Sequence, residues 1–167
     1  MADIVKRPDT RRAFIDTLID LAEKDDKIIL IVPDVGFNYI EKFQEKFPNR
    51  YFNLGVTEQS TIMIATGLAL SGFKPYVYSM INFVLFRPYE MVRNGIVHHK
   101  ANVKLLGVRG SESYKFLGFS HNMTTPAEDF DTCDNLGLKW YWPAETPAVK
   151  KVIRDTYQSP EPAYIRL

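Results

Sequence analysis

"GVTEQSTIMIATGLALSGFKPYVYSMINFVLFRPYEMVRNGI", residues 55–96, is the stretch on which the architecture turns. A glycine, Gly55, closes a short apolar run, and Thr57-Glu58 then opens a helix of small and apolar residues that we expect over 58–72. "KPYVYSM" (74–80) has the alternating aromatic and β-branched character of a strand. "FVLFRPYEMVRNGIVHH" (83–99) has helical spacing, with Pro88 near enough to its start to be tolerated there. A strand between two helices, with Lys-Pro and Ser-Gly punctuation, is one unit of an alternating α/β chain.

Outward from that unit the alternation continues. "DTRRAFIDTLIDLAEKDD" (9–26) sets Phe14, Leu18, Leu21 and Ala22 at helical spacing behind Asp9 or Thr10 as a cap. "KIILIVPD" (27–34) is a continuous apolar run of the kind found in strands covered on both faces. An amphipathic helix in "NYIEKFQEKFP" and a short strand in "RYFNLG" follow. Beyond residue 100 come strand "NVKLLGVRG", loop "SESYKFLGFSHNM", helix "AEDFDTCDNLG", strand "KWYWP", helix "ETPAVKKVIRDTYQ" and strand "PAYIRL". The expected fold class is α/β, a three-layer sandwich whose mostly parallel sheet carries helices on both faces, in one domain spanning 1–167.

Composition narrows the function. The 167 residues suit one domain with a substantial core, and 21 Lys plus Arg against 20 Asp plus Glu argue against nucleic acid or an anionic membrane as partner. The single Cys133 has no Cys or His at metal-ligand spacing, so the chain's own metal set is expected to be none. No apolar run approaches the ~20 residues of a membrane span, and the N-terminus has no apolar signal region, so the expected compartment is the cytoplasm. Phosphate-cradling "GxxxxGK[ST]", dinucleotide "GxGxxG" and hydrolase "GxSxG" patterns do not occur where those folds need them.

In a parallel sheet, ligands bind beyond the carboxyl ends of the strands. That rule selects "VPDVGFN", "NLGVTEQ", "SMINF" and "GVRGSES…SHN", and it places Glu58 at the mouth of a crevice. Taken alone, Glu58 reads as a first-turn acid serving the helix dipole, and Arg87, Glu90 and Arg93 as a surface ladder at i, i+3 spacing.

The central stretch, with "IVPDVG", "GFSHNMTTPAEDF" and "PAYIRL" around it, closely resembles the pyrimidine-binding domain of transketolase-like thiamine diphosphate enzymes, and the match runs through nearly the whole chain. The resemblance implies that Glu58 hydrogen-bonds the aminopyrimidine ring of the cofactor and drives the proton exchange that activates its thiazolium carbon. Phe83 and Phe86 match aromatics packed around that ring, with core packing at i, i+3 helical spacing as their alternative, while Met80 stands where many relatives carry phenylalanine. Asp34 and Val35 fall in the adjoining cofactor loop and Asn38 in its substrate-lining part; turn chemistry is their alternative. His121 matches a histidine facing the substrate, a residue type able to polarise a carbonyl and move protons near neutral pH. Arg109 replaces a substrate histidine and Leu117 an acidic sugar contact, so classical ketose-phosphate specificity is not expected, and Arg109 suits an anionic group.

The family's "GDG…N" element, which binds Mg2+ and the diphosphate, does not occur here. The resemblance therefore implies a split enzyme. This chain would be the pyrimidine-binding subunit of a transketolase-like transferase, with Mg2+ and diphosphate held by a separate subunit, as an α2β2 heterotetramer acting on a ketose or 2-oxo acid. A split 2-oxo acid decarboxylase or synthase, and a non-catalytic assembly module, are the alternatives. The "ATGLALSG" run, with Ala65, Gly67, Ala69 and Gly72, is expected at a subunit interface.

Overall fold

The computed structural model describes residues 9–108 and 112–167, the side chains of 112–115 excepted. Six strands form one sheet: β1 (Ile28–Val32), β2 (Tyr51–Asn53), β3 (Lys74–Met80), β4 (Lys104–Val108), β5 (Trp140–Tyr141) and β6 (Ala163–Arg166). Their order is β2-β1-β3-β4-β6-β5, and every pairing is parallel. The helices are α1 (Thr10–Ala22), α2 (Glu41–Lys46), α3 (Glu58–Leu70), α4 (Tyr89–Met91), α5 (Glu128–Leu136) and α6 (Thr146–Gln158).

The continuous apolar runs behave as buried parallel strands because consecutive residues feed two different cores. Ile28, Leu30 and Val32 of β1, Tyr76 and Tyr78 of β3, and Leu106 and Ile165 pack on one face with α1 and α6. Ile29, Ile31, Val77, Leu105 and Tyr164 pack on the other with Ile62 and Ala65 of α3 and Phe130 and Cys133 of α5. Full burial of each such side chain contributes about 1.5–3 kcal/mol, so neither face of the sheet can be left to water. Burial also pushes the Cys133 thiol well up, which makes it a packing residue with little thiolate character.

Local chemistry fixes the ends. The Asp9 carboxylate accepts from the Arg12 N–H and caps α1. Gly36 takes φ +96°, and a Cβ there would sit 2.8 Å from the Tyr78 ring, so the turn after β1 demands glycine twice over.

Two expectations need correction. The helix anticipated over 83–99 is broken into a wide π turn at Asn82–Phe86, the short α4, and a second π segment at Val92–Val97. Pro88 lacks the N–H an α ladder needs and takes φ −94°, ψ 26°; the Arg87 N–H instead reaches back five residues to the Asn82 carbonyl. α3 ends at Leu70 rather than 72, and its small residues do not share one outward face. Ala65 is buried in the chain's own core, whereas Met63, Ile64 and Leu70 are the exposed apolar residues.

Candidate active site

Because the strands are parallel, the segments leaving β1, β2, β3 and β4 emerge on one rim. The order β2-β1-β3 reverses direction between β1 and β3, and a crevice opens at such a switch point. Glu58 lies on this rim as the first residue of α3, which crosses from β2 to β3. The Thr57 hydroxyl donates to the Leu54 carbonyl at 2.7 Å and fixes the turn from which α3 departs.

Glu58 is not the exposed first-turn acid that its position in the sequence suggests. It is only 5% exposed, and its carboxylate Oε1 accepts from Arg87 Nη1 at 2.5 Å. The Arg87–Glu90–Arg93 ladder does not form: Arg87 turns inward to Glu58, Arg93 Nε donates to Asn94, and Asn94 donates to Glu90. Phe83 and Arg87 are four residues apart, so they lie one above the other on the wide turn. The Arg87 guanidinium lies 4.2 Å from the centre of the Phe83 ring, a cation–π distance. Phe83 in turn meets the His121 imidazole edge-on, with ring centres 5.0 Å apart. Glu58, Arg87, Phe83 and His121 are thus one contiguous chain of contacts drawn from three separate loops.

Two asparagines tie those loops together. Asn82 Nδ2 donates to the carbonyls of Phe119 and Asn122 at 3.2 Å each, which clips the His121 loop onto the end of β3. His121 Nδ1 is 2.7 Å from the Ser120 hydroxyl. Asn53 Oδ1 accepts from the N–H groups of Asp34 and Gly55, and its amide donates to the Asp34 carboxylate, so the loops after β1 and β2 move as one. That clamp holds Asp34 at φ 56°, in the left-handed region.

The other sequence-selected residues are spread around the same rim. Asp34 and Asn38 are exposed, and the Asn38 N–H donates to Glu41 at 2.7 Å. Val35 is half-buried against the α1 core. Met80 is half-buried at the end of β3. Phe86 is half-buried against the α3 side of the sheet, where Phe83's contacts to Arg87 and His121 do not extend to it. Leu117 is half-buried in the loop after β4. Arg109 lies outside the described residues.

Sequence reasoning missed Arg87, Asn82 and Asn53 as site residues. The one available signal was Arg87 next to Pro88, where a regular helix could not continue. Among the described residues no group of three or more His, Cys, Asp or Glu could hold a metal ion, and no helix is long and apolar enough to cross a membrane. The carboxylate and flat aromatic surface at Glu58 and Phe83 suit a nitrogen heteroaromatic.

Comparison with known proteins agrees with this geometry. The family model described as "Transketolase, pyrimidine binding domain" matches residues 6–167. One subunit of the apulose-4-phosphate transketolase of Phocaeicola vulgatus is 30% identical over 158 residues, covering 94% of this chain and 50% of that protein. A putative transketolase C-terminal section from Methanocaldococcus jannaschii is also 30% identical over 158 residues, covering 94% of this chain and 49% of its own length. The chain therefore spans about half the length of these relatives. Among solved structures, a split-gene transketolase described as an inactive β4 tetramer superposes with a TM-score of 0.82 at 28% identity, covering 95% of this chain and 50% of that one. The transketolase of Campylobacter jejuni, at TM-score 0.80 and 17% identity over 96% of this chain and 26% of its own, shares the fold.

Proposed function

The chain belongs to the transketolase pyrimidine-binding domain family, and from that premise we propose that it forms the aminopyrimidine half of a thiamine diphosphate site in a split transketolase-like transferase. The observation that carries the proposal is the buried Glu58 carboxylate, joined through Arg87 to the Phe83 ring, on the carboxyl rim of a parallel sheet. When bound, the cofactor supplies an electron sink for making and breaking a carbon–carbon bond beside a carbonyl.

This chain's residues supply the rest. Glu58 holds a proton at the aminopyrimidine ring nitrogen, its own rotamer set by the start of α3 and by Arg87. Phe83 offers a flat apolar contact to the heteroaromatic ring. Met80 at the end of β3 and the Asp34–Val35 loop after β1 would line the ring, and Phe86 is packed into the core on the α3 side of the sheet. His121, steadied by Ser120 and by the Asn82 clip, is the residue for proton transfer to a substrate carbonyl or hydroxyl. Arg109 and Asn38 complete the substrate side.

The diphosphate and its Mg2+ are assigned to a separate subunit carrying "GDG…N", in an α2β2 assembly. The Phocaeicola relative is named as one subunit of its enzyme and the structural neighbour as the product of a split gene, and both support a division of this kind. Mixing this chain with such a partner, thiamine diphosphate, Mg2+ and a panel of ketoses and 2-oxo acids tests the reading. Ketol transfer that requires both chains and Glu58 is the expected result. Turnover that survives Glu58→Gln, or a complex that binds no cofactor, contradicts it.

A further inference from the structure

We propose that Arg87 is a positioning residue for Glu58, remaining on the carboxylate when the cofactor is bound so that the ring meets one fixed oxygen. This rests on the reading of the site given above. Arg87 is anchored at two points, by Nη1 on Glu58 Oε1 at 2.5 Å and by its guanidinium over Phe83 at 4.2 Å. The bond takes one carboxylate oxygen and leaves Oε2 for the ring nitrogen.

Removing the guanidinium would leave a buried carboxylate without its counter-charge, the costly half of breaking such a pair. The proton that joins Oε2 to the ring nitrogen leaves Oε1 untouched, so the ring need not displace the guanidinium. The backbone reinforces the arrangement. The π turn brings Phe83 and Arg87 into register, Pro88 ends it, and single turns of this kind recur where a side chain must be aimed at a functional group. Arg87 is also 42% exposed on its side chain, so it is not sealed in the core as its carboxylate partner is. The wall that receives the ring is therefore a stacked Phe83–Arg87 surface with Glu58 at its end.

The test uses the whole chain labelled with 15N-arginine and with labelled phenylalanine rings. Without ligand, the Arg87 guanidinium should show slowed rotation that is lost in Glu58→Gln. On titration with thiamine diphosphate and Mg2+, the Phe83 ring should respond while Arg87 stays restrained. Arg87→Met should weaken cofactor binding about tenfold or more, the scale of one charge-assisted hydrogen bond. Arg87→Lys, which keeps the charge, should recover most of that loss, and both variants should keep the parental circular dichroism, with Arg87→Met melting below Arg87→Lys because its buried carboxylate has lost the counter-charge.

Equal or tighter binding by Arg87→Met, or an Arg87 signal that averages as cofactor is added, would show that the guanidinium merely fills the place the ring takes. A Phe83 ring that never responds to thiamine diphosphate and Mg2+ overturns the functional reading itself. A Phe83 response with binding that ignores Arg87→Met overturns the positioning role alone.

Discussion

Two buried carboxylates in this molecule are each met by an arginine, and the two pairs differ in what they leave over. Asp129, at the start of α5, has a fully buried side chain, and Arg166 at the end of β6 is 3% exposed on its side chain. The Asp129 carboxylate accepts from Arg166 Nε at 2.8 Å, from Arg166 Nη2, from the Tyr164 hydroxyl at 2.6 Å and from the Phe130 N–H at 3.0 Å. Arg166 also donates to the Pro126 carbonyl at 2.8 Å and lies 3.8 Å from the centre of the Phe130 ring. Both oxygens of that carboxylate accept two hydrogen bonds each. Glu58, by contrast, is held through one oxygen by an arginine that is 42% exposed. A closed pair fixes the fold; an open pair on the ligand rim keeps capacity for another partner. Burial alone does not separate them, but the number of satisfied lone pairs does.

The two pairs should separate most clearly in stability. Asp129→Asn should cost about 3–5 kcal/mol, the range for removing one partner of a buried pair. Glu58→Gln should cost no more than about 1 kcal/mol, because the released Arg87 can turn to water and one carboxylate at a helix start contributes about that much. Chemical denaturation of both variants checks this. Equal losses would make Glu58 a structural residue like Asp129.

The next largest effect concerns His121. In the reconstituted enzyme, His121→Ala should lower kcat/KM by about 10²-fold, the lower end for a positioned acid–base group, while the cofactor dissociation constant stays near the parental value. Steady-state kinetics and calorimetry separate the two. A matching loss in cofactor affinity would mean that His121 acts through the Phe83 ring. A smaller effect is expected for the chain by itself. It should bind thiamine diphosphate weakly and with little dependence on Mg2+, and tight metal-dependent binding in calorimetry would contradict the division of the site.

The smallest effect lies at the opposite end of the sheet. Burial lowers the Lys104 ammonium to about 8 from 10.5, although Nζ donates to Asn102 Oδ1, to the Ser159 carbonyl and to the Glu161 carbonyl. Between those two values the unfolded chain holds the lysine proton more tightly than the folded one. The folded state is therefore relieved of this cost as pH rises from about 8 toward 10.5. Melting temperatures should show that local gain in the parent and lose it in Lys104→Met. An unchanged profile would mean that the three oxygen partners offset the burial.

Much of the architecture was legible because strands buried on both faces read as continuous apolar runs, as in "IILIV". The place of Glu58 was also legible, from the parallel-sheet rule together with the family resemblance. Its partner was not. Arg87 lies 29 residues away, and local spacing offered Glu90 instead. Only the broken turn ahead of Pro88 redirects the guanidinium, and that break depends on backbone bonding that periodicity does not encode. The Asn53 and Asn82 clamps were invisible for the same reason, since each joins loops that only the sheet order makes neighbours. α3 was legible only in part, because the 3.6-residue period turns Ala65 inward and sets Met63, Ile64 and Leu70 outward together with Gly67.

Whether Glu58 works as a proton-holding group on the cofactor can be measured at the atom it would activate. The quantity is the rate of hydrogen–deuterium exchange at the thiazolium carbon of thiamine diphosphate bound in the assembled complex, compared between the parent and Glu58→Gln. Glutamine keeps the volume and some hydrogen bonding of Glu58 but cannot give up or take up the carboxyl proton. We expect intact folding, retained cofactor and exchange slowed by about 10²–10⁴-fold. Exchange at the parental rate in a folded, loaded Glu58→Gln complex would contradict that role, leaving Glu58 as a buried helix-start residue paired to Arg87.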